Sequence, residues 1–185
     1  MDVENRPPRR ARGFTLIEII TTVATVAISL ALLAPGWSDY TSRSRITTTA
    51  NSLLHDLRFA RSLAVTRQRK VTLCPSDDGA LCSGDHRGWQ RGYLLFIDTD
   101  GNKLRSADEE LIRVADAKKG GLRLHSTASR PAVRFRPDGA AWSTNTTFSV
   151  CLGDRTQAYR AVVLYGSGRA RVDRRLPSGQ AVHCG

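Results

Sequence analysis

Near the C-terminal end, Gly168-Arg169-Ala170-Arg171 sets two guanidinium groups at alternate positions of a short β-like run. On a strand, residues two apart point to one face, so Arg169, Arg171 and Asp173 share one side while Ala170 and Val172 share the other. Ala170 and Val172 can then face a core and leave the two cations side by side in water. Two cations about 7 Å apart, at roughly 3.3 Å rise per residue, suit successive phosphates of a nucleic-acid backbone. Gly166 and Gly168 flank Ser167 in the preceding turn and leave space for a phosphate to approach. Arg174 and Arg175 extend the positive charge, and Asp173 partly opposes it. The competing reading is a solvated edge strand guarded by charge against aggregation.

Other candidate chemistry is sparser. The four cysteines are Cys74, Cys82, Cys151 and Cys184. Four cysteines allow three connectivities, and Cys74–Cys82 with Cys151–Cys184 is favoured because each pairing closes a loop within one hairpin or sheet unit. No C-x-x-C spacing occurs, which argues against zinc. Asp98-Thr99-Asp100-Gly101-Asn102 puts its glycine fourth where an EF-hand loop needs it sixth, so it reads as a hairpin turn after an apolar strand rather than a calcium loop. His55, His86, His125 and His183 are scattered, and there is no Gly-x-Ser-x-Gly, phosphate-cradling glycine loop or persuasive carboxylate pair. The sequence therefore predicts no enzyme, no metal and no cofactor. It also shows no recognition-helix pattern and no dense aromatic–basic interleaving, so nucleic-acid contacts would be to the backbone and indifferent to sequence.

The elements that must carry these groups begin with an apolar run from Phe14 to Ala34 in which Glu18 is the only charge. As a helix it is long enough, at roughly 31 Å, to cross a bilayer's hydrocarbon core. Arg6, Arg9, Arg10 and Arg12 precede it, so residues 1–13 are expected in the cytoplasm and the chain beyond Ala34 across the membrane. An ordinary secretory signal fits poorly, because Leu32-Leu33-Ala34-Pro35 is a weak cleavage site. After Pro35-Gly36, where a kink or brief melt is expected, Ile46, Ala50, Leu53, Leu54, Leu57, Ala60, Leu63 and Ala64 recur at three- and four-residue steps. One helix from about Phe14 to about Arg69 is predicted, with an apolar stripe that a sheet must cover. Nine short runs follow: 71–74, 92–97, 111–114, 122–125, 132–135, 147–152, 161–165, 170–173 and 181–184. The expected class is α+β with antiparallel sheets. Trp37, Trp89 and Trp142 are expected to pack the helix–sheet interface or the membrane boundary.

Arg12-Gly13-Phe14-Thr15-Leu16-Ile17-Glu18 resembles the processing site of type IV pilins and type II secretion pseudopilins. The resemblance implies that prepilin peptidase cuts after Gly13, that Phe14 is N-methylated, and that Glu18 meets the N-terminal amine of a neighbouring pilin during assembly. A carboxylate within an apolar helix is costly and ordinarily has such a partner. Val71-Thr72-Leu73-Cys74-Pro75-Ser76, Gly88-Trp89-Gln90-Arg91-Gly92-Tyr93 and the Gly168-Arg169-Ala170-Arg171 ending resemble the FimT/FimU minor pilins and the GspH pseudopilins. This family implies a type IV pilin-like fold, a long N-terminal helix on antiparallel β-sheets. In its FimT branch the Gly-Arg-x-Arg segment is implicated in binding DNA during natural transformation, a role carried here to Arg169 and Arg171. The expected layout is a leader over 1–13, a membrane or filament-core helix over 14–34, its amphipathic continuation over 35–70, and a periplasmic β-rich domain over 71–185.

Charge agrees with a polyanionic partner. The net charge is +11, and because residues 1–13 hold four Arg and two acids, the chain after Gly13 still carries +9. The reading is a minor pilin held in the inner membrane and then built into a surface pilus, with DNA, other pilins and prepilin peptidase as partners. The alternative is a purely structural subunit that primes pilus assembly or forms the tip of a type II secretion pseudopilus.

Overall fold

The computed structural model describes residues 13–153, 159–176 and 179, without the side chains of residues 32–39. A single helix, α1 (Leu16–Arg67), opens the chain. It is followed by β1 (Val71–Pro75), a short 3₁₀ turn over Gly88–Arg91, β2 (Tyr93–Ile97), β3 (Leu111–Ala115), β4 (Leu122–His125), β5 (Val133–Phe135), β6 (Thr146–Leu152), β7 (Tyr159–Leu164) and β8 (Ala170–Asp173). Eight of the nine predicted strands are present within a few residues of their expected bounds; the ninth, 181–184, lies outside the described residues. The helical assignment continues through Pro35 and Gly36, so the expected melt does not occur.

The chain divides into two compact units, Met1–Tyr40 and Thr41–Gly185. In the first, Leu16, Ile17, Ile20, Val23, Ile28 and Leu30 are all exposed. Its hydroxyls turn inward on the helix: Thr21 donates to the Glu18 carbonyl, Thr22 to that of Ile19, and Ser29 to that of Thr25. Such back-bonding lets Thr and Ser sit in an apolar helix without an unsatisfied donor. Among the described residues no helix is long and apolar enough to cross a membrane. The expected span 14–34 runs into residues 32–34, whose side chains lie outside the described ones.

The second unit has a core drawn from its own residues. Ile46, Ala50, Leu53, Leu57, Ala60 and Ala64 are buried along one stripe of α1, at the predicted three- and four-residue steps. Leu54 and Leu63 flank it half-buried. Two antiparallel four-stranded sheets meet this stripe, one in the order β3-β2-β1-β5 and one in the order β4-β6-β7-β8. In the first, Val71 and Leu73 of β1 and Leu95 of β2 face the helix; in the second, Phe148 and Val150 of β6 and Val162 and Leu164 of β7 do. Asp56 is buried among them. Its carboxylate accepts from the Tyr93 hydroxyl at 2.6 Å and from Arg113 Nη1 at 2.5 Å, tying α1 to β2 and β3. Burial and the adjacent carboxylate push the Tyr93 phenol far above its ordinary range.

The expected disulfide Cys74–Cys82 is formed, with Cα atoms 5.5 Å apart. Cys151 is also disulfide-bonded, and Cys184, its expected partner, lies outside the described residues. Trp89 is buried as predicted, in edge contact with Phe148 and donating from its indole N–H to Ser126 Oγ at 3.1 Å. Trp142 is not: it is 61% exposed. Asp98–Gly101, expected as a hairpin turn, begins the connection between antiparallel β2 and β3, which is longer than a tight turn and takes all of 98–110.

The Leu57→Ala variant is expected to lose about 2–5 kcal/mol in urea unfolding, because the helix it leaves a cavity in cannot collapse onto two sheets at once. A pH effect follows from His125 at the end of β4. Burial, with Arg87, Arg123 and His86 nearby, holds its imidazole below the ordinary 6.5, and its Nε2 is buried without a hydrogen-bond partner among the described residues. The unfolded chain therefore takes up this proton first on acidification, and stability should fall as pH is lowered through 6.5 toward the depressed folded value. Melting temperatures of parent and His125→Gln across that window check it: the variant should show the smaller slope.

Candidate nucleic-acid interface

The β7–β8 hairpin carries the arginine pair. Its register sets Leu164 opposite Ala170, Val163 opposite Arg171, Val162 opposite Val172 and Ala161 opposite Asp173. Val162 and Leu164 enter the main core with Ala170 and Val172 packed against it. Arg171 and Asp173 therefore lie on the outer face, the arrangement predicted from alternation. Arg169 directly precedes β8 and is exposed. No side-chain partner of Arg169 is found among the described residues. Arg171 is 56% exposed; it pairs with Asp173 at 3.2 Å and lies 5.5 Å over the Tyr165 ring. A surface pair of this kind is worth no more than about 1 kcal/mol, so it orients Arg171 without disabling it. Tyr165, Ser167, Arg169, Ala170 and Arg171 line a groove of about 380 Å³. Arg174 and Arg175 are exposed beyond β8 and do not line it.

Two tight turns fix this corner. In the hairpin, Gly168 donates to the Tyr165 carbonyl at 2.8 Å and Tyr165 to that of Arg169 at 2.9 Å. Gly168 takes φ 78, the left-handed residue that closes a three-residue hairpin loop. In the second turn, Gly139 donates to the Arg136 carbonyl at 2.8 Å, and Ala141 then donates to the Gly166 carbonyl at 2.8 Å. A Cβ on Gly168 would lie 1.9 Å from the Gly139 carbonyl oxygen and 3.2 Å from Arg61 Nε of α1. The approach that Gly168 permits is thus that of Gly139. On Gly166 the corresponding position is 2.9 Å from the Trp142 ring. The structure brings Trp142 to the edge of the groove, 27 residues away from Arg169 in sequence, where no local pattern could have placed it. Tyr165, read in the sequence only as a strand end, is the other aromatic there.

A second concave patch, of about 350 Å³, is lined by Arg45, Lys118 and Lys119 together with Ser44, Thr48 and Thr49. On the far loop, carboxylate oxygens of Asp98, Asp100 and Glu109 come within 4.8 Å of one another, a donor set that suits a hard cation. Counted from Asp98, oxygen-bearing side chains fall at places one, two, three, five, nine, eleven and twelve, and left-handed Lys103 takes the sixth, where the EF-hand has glycine. These oxygens already brace the loop. Asp98 accepts from Thr72 Oγ1 at 2.6 Å and Gly101 N at 2.7 Å, and Glu109 from Thr99 N at 2.7 Å and Ser106 N at 3.0 Å. Glu109 was not singled out in the sequence; its signal is only the twelfth-place spacing.

The expected processing and assembly residues sit at the start of α1. Gly13 and Phe14 are exposed and non-helical. Thr15 caps the helix, its Oγ1 accepting from Glu18 N at 3.4 Å, and Glu18 stands in the first turn where the helix dipole favours an acid.

A helix packed by one apolar stripe on two antiparallel sheets, as built here, is the fold of the type IV pilin-like proteins. Two solved structures share it: the type IV minor pilin FimU of Pseudomonas aeruginosa, at TM-score 0.59 and 23% identity over 77% of this chain and 96% of that one, and the minor pseudopilin EpsH of the Vibrio cholerae type 2 secretion system, at 0.50 and 16% over 70% and 96%. A fimbrial protein of Pseudomonas aeruginosa is 27% identical over 121 residues, 64% of this chain and 69% of that protein. Residues 49–168 match the family described as type II transport protein GspH, and the chain belongs to that family as a minor pilin or pseudopilin subunit. The match stops at Gly168, one residue before the arginine pair.

The corner's rigidity is open to test. Gly168→Ala should cost about 2 kcal/mol or more by thermal unfolding, since strain at a left-handed position is joined by a clash with backbone. Gly153→Ala, also left-handed at φ 57 but with no described atom within 4 Å of the added Cβ, should cost only about 1 kcal/mol.

Proposed function

We propose that this minor pilin binds extracellular DNA through Arg169 and Arg171, so that a type IV pilus carrying it draws DNA toward the cell for natural transformation. The observation that carries the reading is the pair of exposed guanidinium groups on the outer face of the β7–β8 hairpin, one of them without a partner among the described residues. The +9 charge of the chain after Gly13 supports it. Contacts of this kind read phosphates rather than bases, with a dissociation constant on the order of 10⁻⁴–10⁻⁶ M at physiological salt. Several subunits in one filament would add such contacts together.

The rest of the chain serves display. Prepilin peptidase removes residues 1–13 and exposes Phe14 for methylation. The helix after it is held in the inner membrane and then in the filament, where its exposed Leu, Ile and Val side chains are covered by lipid or by other pilins. Glu18 meets the amine of a neighbouring subunit. Gly168, Arg174 and Arg175 complete the basic hairpin, the last two as outlying charges.

Titration of double-stranded DNA with the unit Thr41–Gly185, whose core is self-contained, tests the site. Arg169→Gln/Arg171→Gln should weaken binding at least tenfold and lower the slope of log K against log salt by about 2, one for each phosphate that the variant leaves unneutralised. Lys118→Gln/Lys119→Gln, which removes the same charge from the second patch, should do less. Equal binding by parent and arginine variant would remove the site, and no binding by the parent would leave the structural subunit as the role.

A further inference from the structure

Of the nine aromatic rings in the unit Thr41–Gly185, Trp89, Tyr93, Phe96, Phe135 and Phe148 are at most 1% exposed, and Phe59 and Tyr159 are half-buried. Among the described residues of that unit only two aromatic side chains are exposed, Trp142 at 61% and Tyr165 at 38%. Both stand at the same corner. The Trp142 ring lies against Gly166, which sits in the chain between Tyr165 and Ser167 of the groove. The Ala141–Gly166 hydrogen bond and the Gly139–Gly168 approach hold the two turns together, so the backbone on either side of the indole is fixed. Arg169 and Arg171 line the groove together with Tyr165 and Ser167, the chain neighbours of Gly166, while Arg174 and Arg175 lie beyond the strand and outside it.

An exposed indole costs solubility and contributes nothing to phosphate binding. A flat aromatic face next to cations spaced for a phosphodiester backbone is instead the combination that single strands use, phosphates on the cations and unpaired bases stacked on the ring. In a duplex the bases are stacked on one another and offer no face to a ring at the backbone, so a platform of this kind recognises unpaired DNA. We propose that Trp142 is a base-stacking residue, and that the β7–β8 corner prefers single-stranded DNA, such as the frayed or resected end of a fragment, over closed duplex. The inference rests on the reading of Arg169 and Arg171 as DNA ligands and adds to it a choice of substrate. Tyr165, whose ring lies beneath Arg171, orients that guanidinium and lends a second, smaller surface. Stacking on every base has the same energy to first order, so the preference is for strandedness and not for sequence.

The test uses the full chain in non-ionic detergent micelles with two fluorescent probes, an oligothymidine of about 20 nucleotides and a blunt duplex of the same length, both longer than one binding site. The parent should bind the single strand more tightly. Trp142→Ala should weaken the single strand about tenfold and the duplex by less than about twofold, while Trp142→Phe, which keeps a ring on Gly166, should retain most of the preference. Arg169→Gln/Arg171→Gln should weaken both probes. Equal effects of Trp142→Ala on both probes, or none on either, would overturn the stacking role while leaving the arginine site standing if the arginine variant still loses both. A parent that binds neither probe would overturn both readings. Photocrosslinking of a bromodeoxyuridine single strand to the unaltered chain needs no variant to fold: the adduct is expected at Trp142, and adducts confined to other residues would overturn the proposal.

Discussion

Six side chains on one face of α1, namely Ile46, Ala50, Leu53, Leu57, Ala60 and Ala64, are the constraint on which the domain depends. Two four-stranded sheets share that single stripe, so neither can shift without opening a gap at the other. Three alanines let backbones come close, and Ile46, Leu53 and Leu57 fill the space between. The buried Asp56 carboxylate fixes the rotation of the helix against the first sheet, because only one setting reaches both the Tyr93 hydroxyl and Arg113. Leaving that carboxylate without its partners would cost several kcal/mol. The apolar stripe and this polar contact therefore select the same rotation of the helix.

That arrangement decides what faces water on the second sheet. With Val162, Leu164, Ala170 and Val172 turned to the helix, alternation puts Arg171 and Asp173 outside. The corner beyond them is held by backbone approach rather than by side-chain bulk. Gly168 against Gly139, and Gly166 beneath Trp142, replace side chains with contact between two turns, and Arg61 of α1 lies beside Gly139 and Gly168. A surface built in this way presents its cations and its indole from closely packed turns, an arrangement that would lower the entropy cost of the proposed binding.

Interior and exterior charges follow different rules in this chain. Buried Asp98 and Glu109 are satisfied by backbone N–H groups and a threonine hydroxyl. The arginines of the hairpin are left to solvent, paired at most once and weakly. On the proposed DNA-binding reading, individually weak phosphate contacts would gain strength by repetition along a filament or along the polymer.

The sequence by itself determined the parts whose cause is local. The stripe at three- and four-residue steps made α1 legible from Ile46 to Ala64, alternation placed Arg169 and Arg171 on one face, and short apolar runs between turn residues marked eight strands. Cys74 and Cys82 are close enough in the chain for their pairing to be favoured from spacing. Tertiary structure alone decided the rest, because its cause is the meeting of distant segments. Trp142 reads as a residue of the helix–sheet interface or the membrane boundary because it is a large aromatic, but its ring lies exposed against Gly166, a neighbour that only the meeting of the two turns supplies. Asp98 and Asp100 read as a hairpin turn, whereas the 98–110 loop folds back and brings Glu109 to them. Periodicity reports which way a residue faces along its own element; only the packing of one element on another determines which faces meet.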